Sequence, residues 1–293
     1  MRFKEELLRI AADVDKVLAE MLPKERWDNE PAAVARYATL GKGKRIRPFL
    51  TVQCANLFGA SYESALHAGA CIEMIHNFSL IHDDMPCIDN DTVRNGKPSA
   101  WAQYGEWRAM LGGDLLLNWP YHALASDEKI STDAKVRLEL IQILSDASNE
   151  MVRGEYMDIE AEAGKFQTAS EVDEIQLLKT GQLFLACTMF GATLGNADEK
   201  SREALREFTK NMGLCFQVTD DILDATGDPE KVGKTLKKDA AAGKATYISL
   251  YGLEGARAKA TELATAAKDA LSIFDHRADN LRELMDYMVT RES

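Results

Sequence analysis

The sequence predicts an all-α protein, a single domain built as a bundle of about ten or more helices. Three observations carry this expectation. Nearly every long segment repeats its apolar residues with a helical period, and no run of segments alternates apolar with polar residues as strands would. Prolines and cap-type residues also fall where periodic stretches begin. No composition shift, internal repeat or low-complexity linker divides the chain, so residues 1–293 read as one domain.

The periodicity places helices at roughly 3–22, 31–40, 47–58, 63–84, 105–126, 132–163, 171–195, 200–226, 245–268 and 277–290. Pro31 and Pro48 sit where a first helical turn tolerates proline. Ser170 and Asp173 have the spacing of a capping box ahead of EIQLL. The charge-free stretch from Thr180 to Ala197 has about the length of a membrane span. It also carries Thr180, Gln182, Thr188, Thr193, Asn196 and several glycines, which favours a buried core helix and no membrane span. Two long loops remain, Pro86 to Ala100 and Gly227 to Lys244, each following a helix that ends in aspartates.

Composition narrows the function. Hydrophobic residues make up 46% and charged residues 28%, a globular balance, and the net charge of −12 disfavours nucleic acid as a partner. Any anionic ligand must therefore meet a local cluster of cations. Five scattered cysteines without a CxxC pair read as free thiols in a reducing compartment. The N-terminal segment is charged and amphipathic, without the apolar core of a signal peptide, and the expected location is cytoplasmic.

The first aspartate cluster is His82-Asp83-Asp84-Met85-Pro86-Cys87-Ile88-Asp89-Asn90-Asp91. Pro86 disfavours helical geometry at Met85, so the helix should stop there. At about 100° per residue an unbroken helix would aim Asp83 and Asp89 in different directions. A turn after Asp84 can instead fold Asp89 back towards Asp83. Acids at a helix C-terminus oppose the helix dipole, a strain that a bound cation would relieve. The second cluster, Gln217 to Asp224, sets Gln217, Asp220 or Asp221, and Asp224 on one face of a helix. Either cluster alone also fits a solvated acidic surface. Two of them on apolar helices, with oxygen-only donors, point to a hard cation such as Mg²⁺ holding a phosphate compound. There is no GxxxxGK[ST] and no GxGxxG. Gly41-Lys42-Gly43-Lys44-Arg45-Ile46-Arg47-Pro48 supplies cations in a glycine-rich loop before a helix N-terminus, a setting that suits a second anion as well as surface salt bridges.

Together these motifs resemble the trans-prenyltransferases, the short-chain isoprenyl diphosphate synthases, over nearly the whole chain. GKGKRIRP is similar to the family's GGKRxRP loop, and DDMPCID has the DDxxxxD form of its bacterial members. Lys179-Thr180-Gly181, Phe216-Gln217, DDILD, Gly233-Lys234 and Gly243-Lys244 follow in family order.

The resemblance implies the isoprenoid synthase type I fold, with helices around a central cavity, and a homodimer. It implies that Asp83, Asp84, Asp89, Asp220, Asp221 and Asp224 hold Mg²⁺, roughly three ions with diphosphate bound. Arg94, Lys179 and Lys234 would contact the allylic diphosphate. Gly43, Lys44, Arg47 and His76 would bind isopentenyl diphosphate. Thr180, Gln217 and Lys244 would flank the reacting carbons, Phe216 would bind substrate, and Lys179, Thr180, Gln217 and Lys244 would have catalytic roles. Phe78 and Ser79 would line the wall that limits chain length, and an aromatic at Phe78 points to a farnesyl product.

The chain departs from the family pattern at three places. Asn95 stands where a second arginine is usual, Trp101 where a histidine is, and Glu155 where a glutamine is. Alternatives are a geranylgeranyl diphosphate synthase, an enzyme of unusual specificity (head-to-middle or terpene-synthase-like), a class I terpene cyclase, a regulatory subunit, and a helical scaffold with acidic loops.

Overall fold

A computed structural model describes residues 2–41, 43–226 and 245–291. The architecture is all-helical, as the periodicity requires. The order is α1 (Arg2–Met21), α2 (Pro31–Thr39), α3 (Ile46–Leu57), α4 (Tyr62–Asp83), β1 (Val93–Arg94), β2 (Lys97–Pro98), α5 (Ala100–Tyr104), α6 (Glu106–Ser126), α7 (Ala134–Glu162), α8 (Ala169–Gln176), a π-helical turn (Leu177–Gly181) and α9 (Gln182–Leu194). Then come α10 (Glu199–Thr226), α11 (Tyr247–Ala270), two single 3₁₀ turns (Leu271–Ile273 and His276–Ala278) and α12 (Asp279–Thr290).

α4 is the axis of the molecule. Its Ala65, Ala68, Ala70, Cys71, Ile72, Met74 and Ile75 are apolar on every side and buried. A helix of that kind must be surrounded, and α1, α2, α3, α6 and α9 pack around it. One buried charge on α4, Glu73, is met by Arg45 at 2.8 Å. Arg45 also pairs with Asp15 at 2.8 Å and donates to the carbonyls of Thr39 and Gly41. It thus ties the basic loop to the core, in the left-handed conformation with φ 51°.

Several sequence expectations are refined. The capping box belongs to Thr168 and Glu171 rather than Ser170 and Asp173, so α8 begins earlier: Thr168 accepts from the Glu171 N–H, and the Glu171 carboxylate accepts from the Thr168 N–H. The expected single helix over 171–195 is interrupted by the π turn at Leu177–Gly181. The loop after the first aspartates contains a small hairpin, with Arg94 paired to Lys97 across Asn95-Gly96. Both turn residues have positive φ, 52° and 77°, the geometry that Asn-Gly favours in a two-residue hairpin. Asn95 at the arginine position is therefore also a good turn former. Ala169–Leu194 is long and apolar enough to cross a membrane by composition, and 61% of its apolar window is buried in the bundle.

The π turn is held against α7 by close approach at Gly154. A Cβ there would lie 2.2 Å from the Lys179 backbone nitrogen and 2.7 Å from its Cα. We expect Gly154→Ala to lower stability by about 1–3 kcal/mol, the usual scale for overpacking. Chemical denaturation measures this, and wild-type stability in the variant would contradict the packing described.

Candidate active site

The first aspartate cluster forms as the proline break requires. α4 ends at Asp83, and the chain turns back so that the Asp89 N–H donates to the Asp83 carbonyl at 2.8 Å and the Asp91 N–H to the Asp84 carbonyl at 3.1 Å. Asp83 and Asp89 are thereby brought to one end of α4. Trp101 secures the far side of this loop, its indole N–H donating to the Asp91 carbonyl at 2.8 Å.

Asp83 faces a cavity of about 420 Å³, together with Arg47, His76, Phe78, Ser79, Glu155, Lys179 and Thr180. Arg47 lies with its guanidinium 4.7 Å from the Phe184 ring centroid, and its Nε is buried without a hydrogen-bond partner among the described residues. Burial, reinforced by Arg47, Arg94 and Arg45, pushes His76 well below the usual imidazole range, so it sits there neutral. Phe78 is buried and meets His82 edge to face at 4.8 Å, while the Ser79 hydroxyl donates to the His76 carbonyl at 2.9 Å. Met151, Val152, Tyr156 and Ile159 continue the wall on α7. The cavity wall therefore combines charged groups with an apolar lining.

A second cavity, of about 220 Å³, is lined by Asp158, Lys179, Gln217, Asp220, Asp221, Asp224 and Thr246. Lys179 stands on the wall of both cavities, and the π turn explains how. A π-helical turn widens the helix locally, and this one carries Lys179 and Thr180 between the two aspartate-bearing helices. The Lys179 ammonium pairs with Glu155 at 2.7 Å and Asp158 at 2.6 Å. Burial opposes its charge, but Asp158, Glu155 and Asp83 together hold its proton more tightly than usual. In the second cluster, the Tyr247 N–H at the start of α11 donates to Asp221 at 2.8 Å. Gln217 donates to the Gln176 side chain at 2.5 Å.

Not every expected residue shares this place. Asp84 is 2% exposed and turned away from the Asp83 cavity; Arg94 binds it through Nε at 2.8 and 2.9 Å. Asp84 and Arg94 line a separate small recess with Asn95 and Lys97. This pair braces the loop, and neither side chain lines the two larger cavities. Gly43 and Lys44 are exposed, and Lys234 and Lys244 lie outside the described residues, as does Lys42. Sequence motifs did not single out Asp158, which pairs with Lys179. Arg291, which binds Asp220, had no signal at all.

Burial dominates the electrostatics of the acids around Asp83. Burial first, then the Glu155 carboxylate, pushes the Asp83 carboxyl up to about 8, against the pull of Lys179; Asp89 adds to the rise and Arg94 opposes it. Glu155 is raised by burial too, and one of its carboxylate oxygens is buried without a hydrogen-bond partner among the described residues. Among the described residues no three carboxylate, imidazole or thiol groups come close enough to cage a metal alone. Oxygen donors on two helix ends, with a buried Glu155 oxygen beside Asp83 that has no hydrogen-bond partner among the described residues, fit Mg²⁺, which uses one or two carboxylates and takes its remaining ligands from phosphate and water.

Comparison with known proteins agrees with this geometry. The polyprenyl synthetase family model matches residues 29–287. The chain is 38% identical to the farnesyl diphosphate synthase of Bacillus subtilis (strain 168), over 87% of both proteins. It is 37% identical to the geranylgeranyl diphosphate synthase of Cyanophora paradoxa, over 88% of this chain and 86% of that one. Among solved structures, an FPP/GFPP synthase from Zymomonas mobilis superposes with TM-score 0.89 at 40% identity, covering 99% of both chains. A polyprenyl synthase from Caulobacter crescentus, complexed with calcium and isoprenyl diphosphate, does so with TM-score 0.85 at 26% identity, covering 99% of this chain and 98% of that one.

The Asp83 environment makes a pH prediction. The folded protein keeps a proton on Asp83 up to about pH 8, whereas the unfolded chain releases it near pH 4. Between those limits the folded state binds more protons, so this group removes stability as pH rises. Asp83→Asn abolishes the titration. In chelator, the thermal midpoint of the variant relative to wild type is expected to rise between about pH 5 and about pH 9. A difference independent of pH would contradict the assignment.

Proposed function

We propose, from the premise that this chain belongs to the polyprenyl synthetase family, that it is a Mg²⁺-dependent farnesyl diphosphate synthase. The coarser statement, a trans-prenyl diphosphate synthase acting on isoprenyl diphosphates, follows from the family and its relatives. Farnesyl as the product is our own reading. In it, an allylic diphosphate (dimethylallyl or geranyl) ionises, isopentenyl diphosphate attacks the resulting carbocation through its double bond, and loss of a proton gives the longer allylic diphosphate.

The observation that carries this proposal is the placement of acids, cations and apolar wall around one residue, Lys179. Asp83 and Asp89 on one side, and Asp220, Asp221 and Asp224 on the other, would hold magnesium. Bound there, the ion neutralises the diphosphate that departs as the allylic C–O bond breaks. Lys179 presents an ammonium, held protonated by its acidic neighbours, to the same leaving group. Arg47, with an unused buried Nε, is available to the isopentenyl diphosphate, beside a neutral His76. Thr180 faces the cavity where carbons would react. The solved relative complexed with calcium and isoprenyl diphosphate supports a divalent cation and an isoprenyl diphosphate as ligands in this fold.

Chain length needs a wall, because each added isoprene unit gains roughly 4 kcal/mol on burial at about 0.8 kcal/mol per carbon. Phe78 and Ser79 line the Asp83 cavity, with Met151 and Ile159 beside them. The buried phenyl ring favours the shorter product. A geranylgeranyl product remains the second reading, because the relatives divide between the two lengths. A homodimer and a cytoplasmic location belong to the same proposal. Exposed Trp107, Met110 and Leu111 near the start of α6 offer an apolar face for a second copy.

Product analysis with dimethylallyl, geranyl and farnesyl diphosphates, each supplied with isopentenyl diphosphate and Mg²⁺, tests the reaction. Farnesyl diphosphate is the expected end product, and hydrocarbon released from an allylic diphosphate alone would favour a cyclase. Asp83→Ala or Asp220→Ala is expected to lower turnover about a thousandfold or more, equivalent to roughly 4 kcal/mol of barrier. Phe78→Ala should shift products beyond fifteen carbons, and an unchanged profile would remove the argument from the wall.

A further inference from the structure

Asp220 of the second cluster takes a partner from α12's C-terminal edge, 71 residues away in sequence. Arg291 follows directly on α12, with extended backbone angles of φ −66° and ψ 145°. Its guanidinium Nη2 donates to the Asp220 carboxylate, to the Thr219 hydroxyl at 3.2 Å and to the Phe216 carbonyl at 3.4 Å. The same guanidinium carbon stands 4.5 Å from the centroid of the Phe216 ring. The side chain is 7% exposed, whereas that of Asp220 is 33% exposed and lines the cavity with Lys179 and Asp224.

Two features distinguish this pair from a structural salt bridge. Its acid lies on the face of α10 that lines the cavity with Lys179, towards the negative end of the helix dipole. Its cation is incompletely satisfied among the described residues: Arg291 Nε is buried there with no hydrogen-bond acceptor, although a guanidinium presents five donors. The seat holds the arginine by one nitrogen and a ring face. Because Arg291 lies beyond the last helical residue, it can leave this seat without unwinding α12.

We propose that Arg291 is a resident counter-cation that competes with divalent metal for Asp220, so that loading the second aspartate cluster displaces the C-terminal arginine. The inference rests on the metal-binding reading of Asp220 and goes beyond it, by assigning a competitor and a movement. A guanidinium and a divalent cation cannot both sit close to one partly buried carboxylate without mutual repulsion. The consequence is a threshold: cation binds tightly only where diphosphate oxygens add enough negative charge to outbid the arginine.

The test is titration with Mn²⁺, read as the disappearance of the free-ion electron paramagnetic resonance signal, with and without inorganic diphosphate. Arg291→Gln keeps much of the side chain over Phe216 while removing the charge. We expect this variant to bind Mn²⁺ alone about tenfold more tightly than wild type, equivalent to about 1.4 kcal/mol, and to lose that gain when combined with Asp220→Asn. A second measurement needs no variant. Trypsin cleavage after Arg291, seen as loss of Glu292-Ser293 in the intact mass, should be accelerated in the wild-type protein by Mn²⁺ with diphosphate. Equal or weaker Mn²⁺ binding by Arg291→Gln, where Asp220→Asn does weaken the wild type, would overturn the competition and leave the metal site standing. Indifference of Mn²⁺ uptake to Asp220→Asn would overturn the metal reading of the second cluster and the proposal with it. A tryptic rate unmoved by Mn²⁺ and diphosphate would overturn the displacement.

Discussion

Negative charge gathered at the C-terminal ends of two apolar helices is the constraint on which the rest of the molecule depends. Helix dipoles already make those ends negative, yet α4 delivers Asp83 there and the last two turns of α10 deliver Asp220, Asp221 and Asp224. Water would ordinarily screen such charge, but Asp83 is desolvated enough to hold its proton to about pH 8. The fold answers with borrowed cations: Arg94 on Asp84, Lys179 between Glu155 and Asp158, and Arg291 on Asp220. Each meets one acid or one pair. None of these three pairs with both Asp83 and Asp220, and under the proposed function a cation-bound diphosphate would do so.

The scaffold makes this imbalance tolerable by building rigidity around it. α4 is enclosed on all sides, so its C-terminal residue cannot drift. Arg45 anchors the glycine-rich basic loop to Glu73 on the same helix, which holds Arg47 near Asp83 and His76. The π turn against Gly154 sets one lysine between two cavities. Stability and function are coupled here: removing an acid should relieve the fold and abolish the chemistry together.

Much of this was legible from residue order, because the signals were local. Helical period, the proline stop after Asp84 and the i, i+3, i+4, i+7 spacing from Gln217 to Asp224 depend on near neighbours alone. The structure matches them: α4 ends at Asp83, and the backbone of Asp89 returns to it. What the sequence concealed was long-range or finely geometric. Asp84 looks equivalent to Asp83 in the motif, but successive residues point about 100° apart, and Asp84 turns to Arg94 in another recess. The π turn adds one residue to a helical circuit and leaves no compositional mark. Arg291 lies 71 positions from Asp220, and no spacing rule connects them.

The account stands most directly on where divalent metal and diphosphate reside together. Crystals grown with Mn²⁺ and inorganic diphosphate, measured for anomalous scattering, would locate both. We expect manganese peaks within ligand distance of Asp83 or Asp89 and of Asp220 or Asp224, with one diphosphate reaching between them beside Lys179. Manganese confined to surface carboxylates, or a diphosphate bound away from both helix ends, would contradict it.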